Sequence, residues 1–97
     1  MDRYKRAKSI VEQIASLTAE EKEERRVYVS IFDFDLMFDY DASKFKALEQ
    51  EYTYTPTTRT KRVVIDGIEL VEASKIPQGS FSVGNDPYEL RQFDNYE

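Results

Sequence analysis

The chain contains neither cysteine nor histidine among its 97 residues. Without cysteine there is no disulfide framework, no zinc–thiolate site and no thiol nucleophile. Without histidine the chain lacks the side chain that most often serves as a general base and as a metal ligand. Any catalysis would therefore depend on carboxylates, lysines or tyrosines alone.

Glycine and long apolar runs are also scarce. Only three glycines are present, and no glycine-rich phosphate-binding loop can be recognised among them. No apolar run approaches the roughly 20 residues that a membrane span requires. Glu12 and Gln13 interrupt the apolar residues near the N-terminus that a signal peptide would need. We therefore expect a soluble protein of the cytoplasm, or of the host cytoplasm if the source is viral, that needs no cofactor.

Acidic residues outnumber basic ones in two parts of the chain. The formal net charge is −5, residues 27–53 carry two bases and six acids, and residues 77–97 carry one base and four acids. Proteins that bind nucleic acid cluster lysine and arginine, so direct nucleic-acid binding is not expected. Two acidic zones favour docking on the basic surface of a protein partner instead.

Two local patterns predict secondary structure directly. Apolar residues at three- and four-residue steps predict an amphipathic helix over residues 3–17, and Thr18 to Glu21 fits a capping box after it. Asp66-Gly67 is the dipeptide of a type I′ turn, which predicts a hairpin over residues 61–72. The predicted hairpin register pairs Ile65 with Ile68, Val63 with Leu70 and Lys61 with Glu72.

The order of the predicted elements indicates a single small α+β domain. We expect a mostly antiparallel sheet of three to four strands, an N-terminal helix and one or two short helices. The predicted segments are a helical N-terminal part (1–26), a sheet with an inserted short helix (27–84, helix 42–52) and an acidic C-terminal segment (85–97) that begins with a helix start at Asp86-Pro87.

The segment "VYVSIFDFDLMFDYD" (27–41) alternates with a period of two residues. Its even positions are almost all apolar or aromatic, and its odd positions are apolar in the first half and acidic in the second. This alternation predicts a long strand with four carboxylates on one face: Asp33, Asp35, Asp39 and Asp41. Carboxylates two residues apart on a strand are about 6.5–7 Å apart, close to the phosphate spacing of a nucleic-acid strand.

The same stretch also permits an enzymatic interpretation. "IFDFDLMF" (31–38) resembles the first motif of the haloacid dehalogenase superfamily, a hydrophobic strand that ends in Asp-x-Asp. The resemblance implies a nucleophile at Asp33, a general acid/base at Asp35 and a magnesium ion. It ends at Leu36-Met37, where the family has Gly-Thr or Gly-Val, and no later acidic motif completes the metal site. A minimal Mg²⁺-dependent phosphate-transfer enzyme is thus one alternative.

The pattern favours a non-enzymatic acidic interaction module, of the kind found among phage anti-defence inhibitors and nuclease-immunity proteins. Such a module would bind the basic nucleic-acid-binding surface of its partner as a nucleic-acid mimic. We predict no catalytic or metal-binding residue, and the predicted contact residues are Asp33, Asp35, Asp39, Asp41, Tyr40, Asp86 and Glu89.

Two other interpretations of these features stay open. The row of Asp side chains can be only a solvated strand face, because charges on an edge prevent strand-to-strand aggregation. The protein can instead be a structural or assembly subunit of a virion or complex. That subunit would use the stripe of helix 3–17 and a sheet edge as interfaces, and a homodimer is one such arrangement.

Overall fold

Three helices and six strands make up the part of the chain that the computed structural model describes, which is residues 3–40, 45–57, 59–84 and 89–94. The helices are α1 (Arg3–Ala15), α2 (Ala19–Glu23) and α3 (Ile31–Asp39). The strands are β1 (Arg26–Val29), β2 (Leu48–Tyr54), β3 (Arg59–Ile65), β4 (Ile68–Glu72), β5 (Ser80–Val83) and β6 (Arg91–Gln92). The predicted α+β fold is confirmed, with more strands than expected.

All six strands belong to one sheet in the order β2-β3-β4-β1-β5-β6. β1 runs parallel to β4, and every other neighbouring pair is antiparallel, so the predicted antiparallel character is confirmed. The parallel pair arises because the chain leaves β1 through α3 and returns to β4 only after β2 and β3. β2 and β6 are therefore the two edges of the sheet.

The apolar stripe of α1 lies in the core, beside α3 and against the sheet. Ala7, Ile10 and Ile14 are fully buried, and they share one cluster with Val27 of β1 and Val63 of β3. Burial of each large aliphatic side chain contributes roughly 1.5–3 kcal/mol. These side chains stabilise the fold of one chain, so the stripe of α1 is not a dimer seam.

The hairpin and the capping box are both confirmed. Asp66 and Gly67 have φ angles of 52° and 79°, the positive values that a type I′ turn requires. β3 and β4 pair Ile65 with Ile68 and Val63 with Leu70, as predicted, but their paired residues do not include the predicted Lys61 and Glu72. The Thr18 hydroxyl accepts a hydrogen bond from the backbone N–H of Glu21, and the Glu21 carboxylate accepts one from the backbone N–H of Thr18, which are the two bonds of a capping box.

The predicted long strand 27–41 is wrong. β1 ends at Val29, and α3 begins at Ile31 after the N-cap residue Ser30. The Ser30 side chain accepts a hydrogen bond from the backbone N–H of Asp33 at 3.1 Å, which satisfies a donor that the first helical turn leaves open. Since this cap starts a helix in the middle of the alternating pattern, the four carboxylates do not share one strand face.

The predicted helix 42–52 is also wrong, because Leu48–Tyr54 forms the strand β2. β2 pairs with β3 over all seven of its residues, so the edge of the hairpin supplies the hydrogen bonds that a helix would have made internally. Residues 41–44 lie outside the described part of the chain.

The C-terminal segment contains a strand where a helix was expected. The predicted helix start at Asp86-Pro87 lies outside the described residues, but Arg91–Gln92 forms β6 and Leu90 is 47% exposed. Phe93 is buried and its ring stacks on Phe81 with centroids 4.4 Å apart. β6 pairs with the outer edge of β5, and this pairing takes the place of the predicted short helix over these residues.

Candidate docking face on helix α3

The outer face of α3 consists of Ile31, Phe32, Asp35 and Asp39. Successive residues of a helix are about 100° apart, so these four side chains fall within one sector of α3. Ile31 is 45% exposed and Phe32 is 69% exposed, while Asp39 is exposed and Asp35 is half-buried. The opposite sector is buried in the core through Phe34, Leu36 and Met37.

Phe32 is the most exposed of the large hydrophobic side chains in the described residues. A single exposed apolar side chain is ordinary, but two adjacent ones next to carboxylates make a mixed surface. Rigid apolar side chains of this kind act as anchors in protein interfaces, and the surrounding polar groups give orientation. The outer face of α3 is therefore suited to contact with another macromolecule.

Asp35 and Asp39 stand four residues apart, on adjacent turns of α3. Like charges at this spacing destabilise an isolated helix by roughly 0.2–0.5 kcal/mol. A cationic group placed between the two carboxylates would turn this repulsion into attraction. The pair thus favours a positively charged contact over a neutral one.

Asp33 points away from the outer face and is 1% exposed. Its carboxylate accepts a hydrogen bond from the Ser30 hydroxyl at 2.9 Å and another from the backbone N–H of Gly79 at 3.0 Å. These bonds tie the start of α3 to the loop that precedes β5. The assignment of Asp33 as a partner contact is therefore corrected, because its carboxylate is enclosed and engaged within the fold.

Tyr40 belongs to an aromatic cluster that connects the end of α3 to α1. Its ring stacks on Phe45 with centroids 5.2 Å apart, and it lies 5.9 Å from the ring of Tyr4. Tyr40 is half-buried, whereas Tyr4 is 47% exposed. Tyr40 thus holds two elements together, and Tyr4 is the member of the cluster with the larger exposed area.

Glu89, a further predicted contact residue, is not part of α3. Glu89 is exposed and immediately precedes the segment that contains β6. Asp41 and Asp86 lie outside the described residues. Of the predicted row of four carboxylates, Asp35 and Asp39 are the two that the described residues place on the outer face.

The structure does not bring the two acids of the Asp-x-Asp motif together. Asp33 and Asp35 are about 200° apart around α3, so one carboxylate points into the protein and the other points out of it. Among the described residues, no three or more acidic side chains form a group that could hold a metal ion. The geometric premise of the phosphate-transfer alternative, two carboxylates on one strand face, is therefore wrong.

Sequence reasoning identified Asp35 and Asp39 but missed Ile31 and Phe32 as surface residues. The alternating pattern placed Phe32 on an apolar strand face, and so in the core. The available signal was Ser30-x-x-Asp33, which has the spacing of a helix N-cap and its N3 partner. A helix that starts there turns Ile31 and Phe32 outward.

Comparison with protein-family models, with curated proteins and with solved structures gives no match for this chain. Within the described ranges, none of the helices is both long and apolar enough to cross a membrane. The case for a function therefore depends on the surface that the chain itself presents.

Proposed function

We propose that this protein is a non-enzymatic interaction module that docks the outer face of α3 on a basic protein surface. The observation that carries the proposal is the 69% exposure of Phe32 on the same face as Asp35 and Asp39. A helix with a buried inner sector holds these side chains in a fixed arrangement. The module needs no conformational change to present them.

Apolar contact and charge have separate roles in this docking. Full burial of an exposed Ile or Phe side chain contributes roughly 1.5–3 kcal/mol, and Ile31 and Phe32, which are 45% and 69% exposed, gain only the corresponding part of it in a partner, before the costs of association. Asp35 and Asp39 contribute mainly to the rate of association and to the choice of partner, through attraction that salt weakens. An apolar core with an acidic border is thus the proposed contact.

The partner that we favour is a nucleic-acid-handling protein, which the module inhibits by occupying its basic groove. Such grooves concentrate lysine and arginine, and this chain carries a formal net charge of −5. Asp35 and Asp39, with Cβ atoms about 5–6 Å apart on adjacent turns, can take the place of two neighbouring phosphates. An anti-defence or nuclease-immunity role in the cytoplasm is the form of inhibition that we propose.

Photo-crosslinking tests the proposal and captures the partner in the same experiment. A photoreactive phenylalanine analogue replaces Phe32 in one version of the protein and Leu90 in a matched control, because Leu90 is 47% exposed and lies beside β6, at the sheet edge opposite β2. Irradiation in the source cells should give a specific adduct only from position 32. The captured protein, once purified, should bind nucleic acid and release it when the wild-type module is added.

Two outcomes would contradict the proposal. Equal adducts from positions 32 and 90 would show that the outer face of α3 has no special role. A captured partner that keeps its nucleic acid bound while the module is docked would remove the inhibitory function.

A further inference from the structure

β2 forms an edge of the sheet, so it can contact a partner through its backbone, whereas the outer face of α3 presents only side chains. All seven residues of β2 pair with β3 on one side, and no described strand lies on the other side. An edge of this length presents a row of backbone donors and acceptors to any extended chain that reaches it. The side chains of β2 then decide which extended chain is accepted.

The hydrogen-bond pattern shows which backbone groups of β2 point outward. The N–H of Asp66 donates to the carbonyl of Ala47 at 2.9 Å, so Ala47 is directed toward β3. In an antiparallel pair the inward positions alternate, which makes Glu49 and Glu51 inward as well. The N–H and C=O groups of Gln50 and Tyr52 are consequently directed away from β3, toward an added strand.

The side chains of β2 divide by charge between the two faces of the sheet. Gln50 donates to the carbonyl of Met37 at 2.7 Å and Tyr52 packs near Phe38, so even-numbered residues face the helices. Glu49 and Glu51 therefore share the opposite face, and both are exposed. One face of the edge is acidic and the other is aromatic.

The acidic face of the edge contains an open cavity of about 470 Å³. The cavity is lined by Glu49, Gln50, Glu51, Arg62, Val64 and Gly67. Arg62 lies 3.6 Å from Glu51, but both side chains are more than half exposed, so this ion pair stabilises the edge only weakly. With two glutamates and one arginine the lining keeps a net negative charge, so a long basic side chain of an added strand can enter this cavity.

The aromatic face excludes basic side chains from the other positions of an added strand. Lys61, the cross-strand partner of Tyr52, already has its ammonium 4.9 Å from the centre of the Phe38 ring. Another cation there would be repelled by Lys61, whereas an apolar side chain would cover Tyr52, which is 48% exposed. The two faces together select a segment with alternating basic and apolar residues.

We propose that the edge of β2 is a strand-addition site for an extended segment of a partner protein in which basic and apolar residues alternate. Main-chain bonds to Gln50 and Tyr52 supply the pairing, and Glu49 and Glu51 select the basic side chains. A second copy of this chain fits less well. Antiparallel pairing of two β2 strands centred on Glu51 opposes two glutamates directly, which is destabilising.

This site does not rest on the docking proposed for α3. The two surfaces use different residues, and either can fail alone. A partner that used both would present a basic groove to α3 and an extended basic segment to β2.

A titration with synthetic peptides followed by amide NMR tests the strand-addition site directly. The probe is a capped heptapeptide of alternating lysine and valine. Its controls are the glutamate–valine analogue and a peptide of the same composition with lysines and valines in separate blocks. At low salt the alternating lysine peptide should shift the amide signals of Gln50 and Tyr52 and slow their hydrogen exchange. The two controls should leave both amides unchanged.

Charge reversal tests the role of the glutamates. The double variant Glu49→Lys/Glu51→Lys should weaken peptide binding by about tenfold or more, which corresponds to roughly 1.4 kcal/mol. The control Glu20→Lys/Glu23→Lys makes the same change in net charge on the exposed surface of α2 and should have little effect. Equal losses in the two variants would mean that only the overall charge attracts the peptide, and would overturn the proposal.

A proline substitution tests the main-chain pairing. Tyr52→Pro removes an outward N–H and leaves the inward bonds of Glu51 to β3 in place, and Tyr52→Ala is the matched control for the lost ring. Tyr52→Ala should still bind the peptide, while Tyr52→Pro should not. If Tyr52→Pro does not fold, hydrogen exchange at the Gln50 amide of the wild type, with and without the alternating peptide, shows whether the main chain of β2 pairs with the peptide.

Three results would overturn the inference. The first is no slowing of exchange at Gln50 and Tyr52 on saturation with the alternating peptide. The second is equal binding of the block peptide. The third is a wild-type dimer in sedimentation whose formation protects the same two amides, since this would assign the edge to a second copy.

Discussion

Asp33 and Gly79, 46 positions apart in the chain, are joined by a hydrogen bond of 3.0 Å from the backbone N–H of Gly79 to the carboxylate of Asp33. The same oxygen accepts a hydrogen bond from the hydroxyl of Ser30, the N-cap residue of α3. One buried carboxylate therefore fixes both the start of α3 and the loop that leads into β5. This contact sets the orientation in which α3 presents its outer face.

Removal of the Asp33 carboxylate should destabilise the fold substantially. Asp33→Ala leaves the buried donors of Ser30 and Gly79 without this acceptor, and we expect a loss of about 2–3 kcal/mol in the free energy of unfolding. Asp35→Ala, two residues away on the outer face, should change it by less than about 0.5 kcal/mol. Urea unfolding followed by circular dichroism measures both values, and similar losses in the two variants would contradict the assignment of Asp33.

The C-terminal segment should depend on Gln13 of α1. The Gln13 side chain donates to the carbonyl of Asp94 at 2.7 Å and accepts from the backbone N–H of Asp94 at 2.8 Å. Gln13→Ala should speed hydrogen exchange at the amide of Phe93, which donates to Gly79, while the amides of β3 stay protected. Gln92→Ala, at an exposed position of β6, is the control and should leave exchange at Phe93 unchanged.

The contribution of Glu21 to stability should vary with pH. The backbone N–H of Thr18 donates to the Glu21 carboxylate at 3.1 Å and lowers the pKa of Glu21 below its ordinary value of 4.5. The Thr18 hydroxyl and the Arg91 guanidinium lower this pKa further, while burial acts in the opposite direction. A carboxylate with a lowered pKa stabilises the folded state above its unfolded pKa, and this stability is lost as the pH falls through the folded pKa.

Thermal unfolding of Glu21→Gln across the acidic range checks this dependence. Glutamine keeps the capping geometry but carries no charge. The wild type should be more stable than the variant near neutral pH, and the difference should shrink as the pH falls below 4.5. A difference that is constant over this range would mean that the charge of Glu21 makes no contribution.

Local signals predicted α1 and the β3–β4 hairpin because residues within each element are enough to specify its structure. The stripe of α1 repeats over more than three turns, and only one face of a helix can bury it. Asp66-Gly67 adopts positive φ angles readily, and the apolar pairs on either side agree with the register that this turn imposes. No distant contact was needed to identify either element.

α3 and β2 were not predictable in this way because distant contacts decide their structure. Most residues of α3 are apolar, so a strand and a helix over this segment would both bury large side chains. The Ser30 cap and the bond from Gly79 to Asp33 favour the helix. Leu48 and Tyr52 are four residues apart, which is the spacing of one helix face. Their segment nevertheless forms β2, because it pairs with β3 over its full length. The candidate docking face exists because residues 31–39 form a helix and not the predicted strand.

The decisive measurement for docking through the outer face of α3 is the affinity of the partner for charge variants of that helix. Asp35→Asn/Asp39→Asn neutralises the outer face, and Glu20→Gln/Glu23→Gln makes the same change in net charge on α2. Binding is measured at low and high salt with the partner captured through position 32. We predict that at low salt the α3 variant binds about tenfold more weakly, a loss of roughly 1.4 kcal/mol, and that high salt removes most of the difference. Equal affinities of the α3 variant, the α2 variant and the wild type at low salt would contradict docking through this face.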